Sequence, residues 1–119
     1  MTIKEFYENI GGSYQEAIGR MINDTLIYRL LNKFADTQNI DNILIAYKNQ
    51  NKKELFELTH ALKGVSSNLC ITNVSKVVSV ICDACRNQDD DKIDNLDNEI
   101  KELEINFKKV IDLIKQISL

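Results

Sequence analysis

Ile93-Asp94-Asn95-Leu96-Asp97-Asn98-Glu99-Ile100-Lys101-Glu102-Leu103-Glu104-Ile105-Asn106-Phe107-Lys108-Lys109-Val110-Ile111-Asp112-Leu113-Ile114 carries apolar residues in steps of three and four, and Ile117 continues them. Ile93, Leu96, Ile100, Leu103, Phe107, Val110, Ile114 and Ile117 therefore share one face of a long helix. A heptad seam of this length has to be buried against other helices. The rest of the chain supplies them. Leu55, Leu58, Leu62, Val65 and Leu69 form one seam, and Val74, Val77 or Val78, Ile81 and Cys85 form another. Leu26, Ile27, Leu30, Leu31 and Phe34 form a third.

Helix starts can be read between these seams. Thr2-x-x-Glu5 and Ser13-x-x-Glu16 are capping-box patterns, and Gly11-Gly12 separates the short helices they open. The second of these helices has Ile18, Met21 and Ile22 on its inner side. Asn23-Asp24 restarts a helix that ends before a polar connection over Thr37 to Asp41. A short piece with Ile43, Leu44 and Tyr47 follows. Asn49-Gln50-Asn51 is a turn, and Asn51 with Glu54 caps the next helix. Thr72 is expected to cap the one after it. Asn87 to Asp91 reads as an acidic turn whose aspartates suit the positive end of the last helix. There is no proline, and the four glycines are Gly11, Gly12, Gly19 and Gly64, so the turn chemistry of an all-β protein is missing. The expected architecture is all-α: an antiparallel four-helix bundle with short additional N-terminal helices, as one domain over residues 1–119.

Composition narrows the function. The chain has 119 residues, 44% hydrophobic and 28% charged, as in ordinary folded domains. A net charge of −3 offers no general attraction for nucleic acid. No apolar run is long enough for a membrane span, and Met1-Thr2-Ile3-Lys4-Glu5 lacks a secretion-signal pattern. The chain therefore reads as cytoplasmic. Its start at Met1 and its end just past the last seam residue favour a free protein. The bundle can close on itself, so a monomer is expected. Cys70, Cys82 and Cys85 are odd in number and lie among apolar residues, which suits buried reduced thiols better than disulfides or zinc.

The single histidine, His60, lies in Leu58-Thr59-His60-Ala61-Leu62-Lys63-Gly64-Val65-Ser66-Ser67-Asn68-Leu69. With a turn of about 100° per residue, His60 is about 160° from both Leu58 and Leu62 and so points to water. Phe56, Glu57, Lys63, Gly64 and Ser67 fall on the same side. A lone histidine is ordinarily a satisfied core or surface residue. Here it is exposed, a lysine stands one turn away, and a glycine interrupts the helix at a cost of roughly 1 kcal/mol relative to alanine. A neutral imidazole nitrogen can take up a phosphoryl group and release it, and a nearby ammonium offsets the phosphoryl charge.

The stretch His60-Ala61-Leu62-Lys63-Gly64-Val65-Ser66-Ser67-Asn68-Leu69-Cys70 resembles the signature of histidine-containing phosphotransfer (HPt) domains, approximately His-x-Leu-Lys-Gly-x-Ser/Ala-x-x-Leu-Gly. Ile10-Gly11-Gly12-Ser13-Tyr14 followed by Asn23-Asp24 is similar to the N-terminal part of bacterial members, and the acidic turn at 87–91 falls where the family enters its last helix. The resemblance implies a carrier, without autonomous kinase activity, that relays a phosphoryl group between receiver-domain aspartates through phosphohistidine at His60. Lys63 would stabilise the phosphoryl charge, Gly64 would let the receiver approach, and Phe56, Glu57 and Ser67 would belong to the docking surface. Response-regulator receiver domains and a hybrid sensor histidine kinase are the implied partners. No cofactor is expected on this chain, and any Mg²⁺ belongs to the receiver. Cys70 departs from the pattern, where a small residue, commonly glycine, is usual; altered packing at the end of the helix is expected. The competing reading is a phosphorylation-independent helical adaptor using the His60 face. An ATP-using kinase is disfavoured, since the chain has no glycine-rich nucleotide segment.

Overall fold

The computed structural model describes residues 1–86 and 90–119. Among them are seven helices and no strand: α1 (Ile3–Asn9), α2 (Tyr14–Met21), α3 (Asp24–Thr37), α4 (Asp41–Lys48), α5 (Lys52–Asn68), α6 (Thr72–Ala84) and α7 (Asp97–Lys115). The all-α expectation holds. α5 packs on α6, α6 on α7, and α7 on α3, while α4 lies on α5 and α1 and α2 rest against α3. One core joins them, with Phe6, Ile27, Leu31, Leu55, Val74, Val78, Ile81, Leu103 and Val110 fully buried. Both Val77 and Val78 are buried, and Cys82 joins them on the inner side of α6.

Local hydrogen bonds explain most helix starts. Thr2 and Glu5 form a complete capping box. Asn23 accepts from Leu26 N–H at 2.8 Å, and Asn51 from Glu54 N–H at 3.2 Å. Ser13 makes only half of the expected box: its hydroxyl accepts from Glu16 N–H, but the Glu16 carboxylate turns to Arg20 instead. Thr72 does not cap α6. It is the first helical residue, and its hydroxyl donates to Cys70 carbonyl at 3.3 Å.

Three further expectations are corrected. Ile22 is not on an inner side. α2 stops at Met21, and the chain reverses through a tight turn closed by Asn23 N–H on Met21 carbonyl (2.9 Å), which leaves Ile22 at φ 76° and 79% exposed. The last helix begins at Asp97, four residues after the seam does, so Ile93 and Leu96 are buried from non-helical backbone. Its first-turn acids are Asp97 and Glu99. Asp90 instead accepts from Lys52 and from Lys92 N–H; the remainder of the acidic turn, 87–89, lies outside the described residues.

The turn between α5 and α6 is a Schellman motif. Ile71 N–H donates to Ser66 carbonyl (2.9 Å) and Cys70 N–H to Ser67 carbonyl (3.1 Å), with Cys70 in the left-handed region at φ 58°. An L side chain there costs about 1–2 kcal/mol, which accounts for glycine at this position in the resembled pattern. The same motif ends α1 at Gly11 (φ 68°) and α4 at Gln50 (φ 56°). Gly12 serves a different need. A Cβ on it would stand 3.2 Å from Cys70 carbonyl, so the two turns touch through its missing side chain.

Tyr7 reinforces this junction: its hydroxyl donates to Leu69 carbonyl at 2.8 Å, and the ring is fully buried. Burial, followed by the charge of Cys70, pushes the phenol well above its ordinary value. The neutral phenol is thus the form that folding favours, so its contribution is complete below about pH 10, the unfolded value, and is lost as pH rises beyond it. Tyr7→Phe should cost about 1–2 kcal/mol at about pH 7 by orphaning the Leu69 carbonyl, and the variant should show a flatter loss of stability above about pH 10. Urea unfolding at the two pH values checks both.

Candidate functional site

The inner face of α5 is Leu55, Thr59, Leu62, Ser66 and Leu69. Leu58 and Val65, expected in the seam, are half-buried on its flanks. The two buried polar residues satisfy themselves: Thr59 Oγ1 donates to Leu55 carbonyl (2.7 Å) and Ser66 Oγ to Leu62 carbonyl (2.6 Å). Sequence patterning passes over such residues because it scores the hydroxyl as polar, whereas the preceding turn removes that cost.

The outer face presents His60, Glu57, Gly64 and Ser67, all exposed. Phe56 and Lys63, expected beside them in water, are half-buried. Asp83 of α6 lies by Lys63, and Arg86, just past the end of α6, lies by Phe56. The Phe56 ring lies 5.7 Å from the imidazole, centroid to centroid, at an interplanar angle of 32°. The Arg86 guanidinium sits 5.9 Å from the same ring centre, within cation–π range. Lys63 Nζ is 3.9 Å from Asp83 Oδ1, and Arg86 Nη2 is 3.3 Å from that same oxygen. Exposed pairs of this kind are worth about 0–1 kcal/mol each. Lys63, Asp83 and Arg86 together carry one net positive charge, which the exposed carboxylate of Glu57 on the same face offsets.

A third cation, Arg20, reaches the outer face of α5 from α2. Arg20 Nη1 donates to Ser67 carbonyl at 3.2 Å while Arg20 Nη2 pairs with Glu16 at 3.1 Å. Asp83, Arg86 and Arg20 were not among the candidates from sequence. Asp83 and Arg86 are three apart and so could be read as a helical pair, but nothing local says which face of α5 they meet. The cysteines Cys70, Cys82 and Cys85 are free and buried. Among the described residues no three His, Cys, Asp or Glu side chains are grouped to hold a metal ion.

Among the described residues Gly64 has no packing reason. A Cβ built on it would meet nothing within 4 Å.

The Hpt domain family model matches residues 30–110, from within α3 to within α7, and so includes His60. The chain belongs to the Hpt domain family. Hpt domains are phosphocarrier modules of two-component phosphorelays and interact with response-regulator receiver domains. The N-terminal resemblance at Ile10–Tyr14 and Asn23–Asp24 lies outside the matched residues. No curated protein and no solved structure gives a significant match to the chain. Among the described residues no helix is long and apolar enough to cross a membrane.

Because the space at Gly64 is open, Gly64→Ala should stabilise the free protein by about 1 kcal/mol through helix propensity alone. Chemical denaturation checks this; an unchanged or lower midpoint would mean that the glycine serves the fold itself.

Proposed function

We propose that this chain carries a phosphoryl group between receiver-domain aspartates as phosphohistidine at His60. The observation that carries the reading is an exposed imidazole inside the family match, on a helix face that holds open space at Gly64. The ring nitrogen without a proton attacks the phosphorus of an aspartyl phosphate. The P–N bond forms as the P–O bond to the aspartate breaks, and the carboxylate leaves with the electron pair. The other ring nitrogen keeps its proton. Return to a second receiver is the reverse of this step.

Lys63 stabilises phosphoryl charge, one helical turn from His60. Gly64 lets the receiver's loops approach, and Phe56, Glu57 and Ser67 belong to the docking surface. Any Mg²⁺ resides on the receiver, and this chain uses no cofactor and has no kinase activity of its own. A hybrid sensor histidine kinase supplies the group, and the relay operates in the cytoplasm.

In this reading α3, α5, α6 and α7 form an antiparallel four-helix bundle, and residues 1–119 are one monomeric domain. The pairing of α5 with α6, α6 with α7 and α7 with α3 supports it. So does a cross-section of 23 × 21 Å, close to two helix diameters each way. The bundle holds α5 rigid, so that its outer face meets a receiver as a preformed surface.

Transfer from a labelled phospho-receiver to the purified chain tests the relay. The wild type should acquire acid-labile, alkali-stable label, and His60→Gln should acquire none while keeping its helical circular dichroism. Function retained by His60→Gln would favour the adaptor. Gly64→Gln should slow transfer by about tenfold or more, the effect of losing roughly 1.4 kcal/mol of docking energy, without loss of stability; a normal rate would remove the steric role of the glycine.

A further inference from the structure

We infer that Asp83 is an exchangeable counter-ion of the transfer site, holding Lys63 and Arg86 while His60 is unmodified and yielding them to the phosphoryl group when it arrives. The inference rests on the phosphohistidine reading of His60. One carboxylate oxygen, Asp83 Oδ1, serves both cations, at 3.9 Å from Lys63 Nζ and 3.3 Å from Arg86 Nη2. The two cations come from different parts of the chain, Lys63 from α5 and Arg86 from just past the end of α6. Lys63 is one turn along from His60, and Arg86 packs on the Phe56 ring, which itself lies against His60.

The pairs are built to exchange. The side chains of Asp83, Arg86 and Lys63 are 63%, 57% and 35% exposed, so water and salt screen their attraction. A phosphoryl group brings about two negative charges and three acceptor oxygens. It therefore outcompetes a single carboxylate for both cations. Asp83 is then left as a like charge beside the phosphoryl group.

That leftover repulsion has a direction. It raises the phosphorylated state relative to the unmodified one, and so favours handing the group on. In that step the P–N bond breaks with its electron pair returning to the ring nitrogen, and a P–O bond forms on the receiver's aspartate. Asp83 touches neither reacting atom. It is a positioning residue that acts through Lys63 and Arg86, and it sets how far the transfer equilibrium lies toward the receiver.

The test is the partition of label between this chain and a receiver at equilibrium, for wild type, Asp83→Asn and Asp83→Glu, at low and high salt. Asp83→Asn should shift the partition toward the phosphorylated chain by about threefold at low salt, the size expected of an exposed charge pair. The shift should shrink at about 1 M salt, and Asp83→Glu should stay near wild type. An unchanged partition in Asp83→Asn, a shift indifferent to salt, or an equal shift in Asp83→Glu would overturn the inference while leaving the relay standing. Absence of label on the wild type as well would overturn the relay at His60 and this inference with it.

Discussion

The left-handed turn at Cys70 is the constraint on which the site depends. It ends α5 with Ile71 N–H on Ser66 carbonyl and sends α6 back along the same helix. Three elements distant in sequence close on it: Tyr7 bonds Leu69 carbonyl, Gly12 fits against Cys70 carbonyl, and Arg20 bonds Ser67 carbonyl. The strain of an L residue at φ 58° is thereby held by a buried hydrogen bond from Tyr7 of α1 and by contact with the α1–α2 turn. Once α6 runs antiparallel to α5, Asp83 falls opposite Lys63 and Arg86 opposite Phe56.

That hairpin gives α5 its two faces. The inner one is packed tightly enough to bury Thr59 and Ser66, each with its hydroxyl returned to its own helix. The outer one carries an imidazole, an open glycine and a loose set of charges. The contrast suits the proposed carrier role: a rigid helix would fix the position of His60, while the weakly paired cations would be free to change partners.

The parts of the fold that were legible in the sequence are those decided within a few residues. The caps at Thr2, Asn23 and Asn51 are hydrogen bonds over three positions, and the structure has them. The exposure of His60 follows from helical angle alone, because Leu55, Leu62 and Leu69 fix which side is inward. Where a local pattern had two solutions the reading failed. Glu16 chose Arg20 over a reciprocal cap, Thr72 became the first helical residue, and α7 began at Asp97 although its seam starts at Ile93. For Glu16 and Thr72 a competing partner outweighed a cap worth about 1 kcal/mol.

The sequence by itself determined that the chain is helical, that one face of each long helix is buried, and that His60, Gly64 and Ser67 share the opposite face of α5. Hydrophobic period and backbone geometry suffice for that, since both act along a single helix. Only the tertiary structure decided what surrounds the imidazole. Phe56 and Lys63 are half-covered, Asp83 and Arg86 join them, and Arg20 reaches in from α2, because these contacts cross between helices whose pairing no local spacing encodes.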